Sequence, residues 1–117
     1  MLSSDMFTIC YDVGHANIAG QDPVEMIKSL GNRIGCTHIH DNDGTSDAHN
    51  LPFSGIIDWE GVMKAFAEVD YKGNLNYESG YFVRNAPVSL REDSAIYMAK
   101  VGKYLVERFW HYKNSLQ

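Results

Sequence analysis

Residues able to hold a metal ion or move a proton stand at the ends of three short, β-prone runs in this chain. Asp12 and His15 follow the run 7–12, His40 closes 34–40, and Glu78 closes 74–78. Asp12, His40 and Glu78 make an O, N, O donor set suited to a divalent cation such as Mn²⁺, Zn²⁺, Co²⁺ or Fe²⁺. With no thiolate among them, the set reads as a catalytic rather than a structural metal site. His38, two residues before His40, points to the same side of its strand one layer deeper, and reads as a core or orienting histidine rather than a ligand. Asp47 and His49 sit two apart in a polar loop, a spacing that alone fits a solvated loop. His111, Tyr77 and Tyr81 read as surface or packing groups.

The elements that must position these side chains follow from periodicity. Strands are expected near 7–12, 34–40 and 74–78, where β-branched and aromatic residues run up to Asp, Gly or Ser. A helix near 22–30 has Asp22 as its N-cap, Pro23 at its first position, Val24, Ile27 and Leu30 on one face and Gly31 as its stop. A second near 58–69 is capped by Asp58 and carries Trp59, Val62, Met63, Phe66 and Val69 at helical spacing. A third near 90–111, capped by Ser89 or Ser94, turns Ile96, Ala99, Val101, Leu105 and Phe109 inward. The order β-α-β-α-β-α implies right-handed crossovers and a parallel sheet, whose strand ends share one face. The loop 41–55 is long for such a connection, and long ordered loops tend to be functional.

Composition narrows the classes. The 117 residues are 44% hydrophobic and 21% charged, as in a core-forming single domain. Ten Lys and Arg against fifteen Asp and Glu leave a net charge of −5 with no basic cluster, which disfavours nucleic acid as a partner. No apolar run approaches the roughly 20 residues of a membrane span, and Met1–Asp5 lack the basic start of a secretion signal, so a cytoplasmic location is expected. Cys10 and Cys36 have no zinc or redox spacing and are expected as reduced core residues.

The motifs Asp12-Val13-Gly14-His15-Ala16-Asn17, His38-Ile39-His40-Asp41-Asn42-Asp43-Gly44, Asp47-Ala48-His49, Gly55-Ile56-Ile57-Asp58-Trp59 and Tyr71-Lys72-Gly73 with Glu78 together resemble the C-terminal part of the sugar phosphate isomerase/epimerase family. These are the xylose isomerase-like TIM barrels, which also include endonuclease IV. The resemblance runs from Phe7 to about Phe109. It implies that Asp12 is the metal aspartate of the sixth strand, His40 the metal ligand of the seventh, and Glu78 the eighth-strand carboxylate that binds metal and exchanges a proton with substrate carbon. It implies that His15 contacts substrate or a second metal, and that Asp47 and His49 join His15 around that second ion. Substrate contacts fall to His15 and Asn42, with Asp41 or Asn42 orienting the His40 ring or the loop.

A complete barrel takes about 250 residues for eight βα units, so the expected fold is a partial (β/α)₈ TIM barrel of about three C-terminal units. Three parallel strands leave two unpaired edges and an uncovered inner face. The expectation is therefore a homo-oligomer, or a separate chain supplying the N-terminal half-barrel. The resemblance implies a metal-dependent isomerase or epimerase acting on a small sugar or sugar phosphate through an enediolate. Two alternatives stand beside it: an endonuclease IV-like zinc phosphodiesterase, and a non-catalytic remnant that folds by association.

Overall fold

A computed structural model describes residues 6–117; Met1–Asp5, read above for a secretion signal, lie outside the described residues. Three strands, β1 (Ile9–Asp12), β2 (Ile34–Ile39) and β3 (Leu75–Tyr77), form one sheet in the order β1-β2-β3, both pairings parallel. Between and after them run α1 (Val13–Ile18), α2 (Pro23–Leu30), α3 (Trp59–Glu68), α4 (Tyr81–Arg84) and α5 (Arg91–Ser115). These are the three parallel βα units expected of a partial barrel.

Local chemistry sets the boundaries. The Asp22 carboxylate accepts from the backbone N–H groups of Val24 and Glu25, Pro23 opens α2, and Gly31 ends it at φ +56°, a conformation a side chain would resist. Asp58 caps α3 by accepting from the Gly61 N–H. The start of α5 differs from expectation. Its N-cap is Leu90 with no side-chain cap, and the Ser94 hydroxyl instead donates back to the Leu90 carbonyl. Its far end is secured from outside: Glu60 on α3 accepts hydrogen bonds from Tyr104, Arg108 and Tyr112.

The core lies between the sheet and the helices. Val13, Ile27, Ile39, Trp59, Val62, Met63, Phe66 and Leu105 are all buried there. At about 2 kcal/mol for each fully buried large apolar side chain, the α3 face is a principal source of cohesion. On α5 only Val101 and Leu105 are buried, whereas Ile96 and Ala99 are exposed, because helix-on-helix packing reaches α5 along a narrower stripe than its apolar spacing suggested. The opposite face of the sheet is open. Strand alternation puts Tyr11, Thr37 and Ile39 inward and leaves Cys10 and Asn76 exposed and Cys36 half-exposed. The cysteines are therefore not core residues, since they point away from the helices. Among the described residues no helix is long and apolar enough to cross a membrane.

Candidate metal centre

The C-terminal ends of the three strands gather seven acids and histidines. Asp12, the last residue of β1, is the hub. Its Oδ1 lies 2.9 Å from His40 Nε2 and accepts the His15 backbone N–H at 2.8 Å, so the carboxylate also caps α1. Its Oδ2 lies 2.9 Å from His15 Nδ1 and 3.5 Å from His38 Nδ1. Burial opposes the charge on Asp12, but hydrogen bonds from the His40 ring and the His15 backbone outweigh it and hold its pKa down at about 2.

Two constellations share this hub. In the first, Asp12, His38 and Glu78 have ligand atoms within 4.8 Å of one another, with His38 Nδ1 only 3.1 Å from Glu78 Oε1. This differs from the expected trio of Asp12, His40 and Glu78. The cause is register: Asp12 pairs with His38, not His40, across the β1–β2 ladder. A layer that looked deeper from β2 alone is level with the end of β1. His38 is accordingly half-exposed at the mouth of the cluster rather than packed in the core.

In the second constellation, His15, His40, Asp47 and His49 bring ligand atoms within 4.8 Å. His15 Nε2 lies 3.2 Å from Asp47 Oδ2, and that carboxylate raises the His15 pKa. For Asp47, desolvation is outweighed by the histidines, and its pKa is lowered. His49 adopts φ +48°, unusual for a residue with a side chain, which places its ring face to face with His40 at 4.0 Å between centroids. Its Nδ1 lies 2.8 Å from the Glu78 carbonyl, a distance at which it donates. Its Nε2 lies 3.1 Å from Asp47 Oδ1.

The donor set fits a divalent metal. It combines imidazoles and carboxylates without thiolates, and each His with a free ring nitrogen has an orienting partner, as ligand histidines generally do. His40 carries a further sign: fully buried, it leaves Nδ1 without any hydrogen-bond partner, a costly arrangement for a group with no role. Gly14 makes room for this ring, since a Cβ there would stand 2.1 Å from His40 Cε1.

Asn42 corrects an expectation. It is fully buried; its amide nitrogen donates to the Gly14 carbonyl, and its oxygen accepts from Asn17 and from the Gly44 N–H. With those groups engaged it is a brace for the loop, not a substrate contact. Asp41 braces the same loop from within, its buried carboxylate accepting from the Asn42, Phe53 and Ile57 N–H groups and from the Trp59 indole. Tyr81 lies nearer the centre than expected, edge-on to His49 at 6.3 Å.

Residues 1–100 match the family of xylose isomerase-like TIM barrels. An uncharacterized protein of Sinorhizobium fredii is 35% identical over 108 residues, covering 84% of this chain and 35% of that protein. An inosose dehydratase of Clostridium botulinum is 31% identical over 88 residues, covering 61% of this chain and 30% of its own length. Among solved structures, a D-tagatose 3-epimerase-like protein superimposes with a TM-score of 0.64 at 25% identity, over 92% of this chain and 39% of that one. The chain thus spans about a third of the length of the curated relatives it matches.

Proposed function

Because the chain belongs to the xylose isomerase-like TIM barrel family, we propose that it carries the metal-binding and proton-transferring part of a sugar isomerase or epimerase site. The observation that supports this reading is the convergence of Asp12, His38 and Glu78, with His40 on Asp12, at the ends of adjacent parallel strands. Asp12, His38 and Glu78 would hold one divalent cation, Mn²⁺, Zn²⁺, Co²⁺ or Fe²⁺; His15, His40, Asp47 and His49 would hold a second. A cation there supplies Lewis-acid polarisation of a carbonyl and its neighbouring hydroxyl oxygen.

The chain's own groups do the rest. Glu78, one-third exposed, takes the proton from the carbon next to the carbonyl of a small sugar or sugar phosphate, leaving an enediolate, and His38 at 3.1 Å holds the carboxylate in place. The second acid/base of such a site would come from barrel units outside these 117 residues. A zinc phosphodiesterase is the second reading, favoured by the compact His15, His40, Asp47 and His49 cluster. The net charge of −5 weighs against it.

The test is deuterium wash-in. The Mn²⁺-loaded chain, alone and with the N-terminal half of a relative, is incubated in heavy water with a panel of ketoses and ketose phosphates and followed by NMR. Exchange at a carbon-bound proton is expected, together with its loss in Glu78→Gln at a saturating concentration of Mn²⁺. Exchange persisting in Glu78→Gln removes the assignment. No exchange under either condition favours the non-catalytic remnant.

A further inference from the structure

The His49 ring that stacks on His40 also lines a cavity of about 420 Å³ that the proposed reaction does not use. The cavity lies between the loop segment 48–54 on one side and α4 with the start of α5 on the other, with Asn50, Ser54, Tyr81, Phe82 and Asn85 around it. Its size falls within the range of about 300–1,000 Å³ found for small-molecule sites. Both walls are fixed from within this chain. Asp41 and Asn50 exchange backbone hydrogen bonds, and the buried Ser79 hydroxyl donates to the Asn50 carbonyl at 2.9 Å. On the other side Arg91 donates to the Ala86 and Arg84 carbonyls, and the Phe82 ring packs against Tyr97. Walls held in this way lose little freedom when a ligand enters.

The lining selects the class of ligand. It contains no Asp, Glu, Lys or Arg, so an ion would find no partner of opposite charge there. The Arg84 guanidinium is stacked over the Tyr81 ring, 4.2 Å from its centre, and does not line the cavity. Among the described residues, the side-chain amides of Asn50 and Asn85 and the Ser54 hydroxyl make no side-chain hydrogen bond, whereas the neighbouring Ser94 hydroxyl is spent on the Leu90 carbonyl. Each amide offers donors and an acceptor side by side, a pattern that adjacent hydroxyl groups match. Tyr81 and Phe82 are partly exposed rings, apolar surfaces suited to the C–H groups between such hydroxyls. We propose that this cavity binds a neutral, hydroxylated small molecule, a monosaccharide or cyclic polyol, at a subsite separate from the cation sites. The subsite does not depend on the reaction proposed above; His49 is the wall that the cavity and the metal centre share.

The test titrates the full chain with D-glucose, myo-inositol and glucose 6-phosphate and follows nitrogen-15 and ring-proton NMR signals. D-Glucose or myo-inositol should shift the side-chain amide signals of Asn50 and Asn85 and the His49 ring signals saturably, with a millimolar dissociation constant. Asn85 is exposed, so Asn85→Leu should leave the far-ultraviolet circular dichroism spectrum and Mn²⁺ binding unchanged while weakening this binding at least tenfold. Glucose 6-phosphate should bind no more tightly than glucose. No saturable shift with either neutral probe, shifts that avoid Asn50 and Asn85, or undiminished binding in Asn85→Leu would each overturn the proposal. Tighter binding of glucose 6-phosphate would overturn it as well, because the preferred ligand would then be an anion.

Discussion

At the scale of single residues, the centre is tuned by charge and by space. Asp12 is mostly buried and its pKa sits near 2, below its ordinary 3.8, in the metal-free chain. A carboxylate held down in this way adds stability that is fully present above its unfolded pKa and lost as pH falls through the folded one. His15, raised above its ordinary value mainly by Asp47, acts with the opposite sign: its contribution is present below pH 6.5 and fades as pH rises through its raised pKa. The metal-free chain should therefore lose roughly 2 kcal/mol between pH 4 and 2 from Asp12 alone. Urea unfolding of wild type and Asp12→Asn across that range measures it, and an equal decline in both would remove Asp12 as the source. Space is set by Gly14, whose added Cβ would meet three atoms of the His40 imidazole at 2.1–2.6 Å. That ring is stacked on His49 behind and has nowhere to move. Gly14→Ala should cost about 1–3 kcal/mol by overpacking. Most of that loss should disappear when Gly14→Ala is compared with Gly14→Ala/His40→Ala on a His40→Ala background; a full-sized penalty there would place the strain elsewhere.

At the scale of elements, what the sequence made legible was whatever a local signal encodes. Asp22-Pro23 and Asp58 are caps that act within a few residues, so α2 and α3 lie within a residue of their expected starts. The three strands are shorter than their apolar runs because only the paired segments form the ladder, as where β3 keeps three residues of the expected five. What stayed hidden depends on partners distant in sequence. The short helix α1 follows directly from β1 because Asp12 caps it while binding His40, a double role no spacing announces. His38 was placed a layer too deep because depth along one strand says nothing about the register of its neighbour. Asn42 looked available in a polar loop, yet its bonds to Gly14 and Asn17 come from the other side of the site. Asp41 and Asn50 form an antiparallel bridge that folds the long loop back and brings Asp47 and His49 to the cluster.

At the scale of the whole molecule, the sheet ends on two open strands, and β3 is the more demanding edge. Between it and α5 runs a groove of about 450 Å³ lined by Tyr71, Leu75, Val106, Phe109 and Trp110, with Trp110 more than half exposed. Each internal strand pair here is backed by a neighbouring helix pair, α2 on α3 and α3 on α5, and beyond α5 that pattern stops. An unpaired parallel edge beside an apolar groove is a template for another βα unit. The chain should therefore associate through this side, with a second copy when nothing else is present. Sedimentation at micromolar concentration is expected to give a dimer or larger species. Val106→Glu should shift it toward monomer, because Val106 lines the groove and is 43% exposed, so a charge there can reach water in the monomer and disturbs association more than folding. If the wild type sediments as a well-folded monomer, the groove needs no cover. If Val106→Glu associates as strongly as wild type, the contact lies on another side.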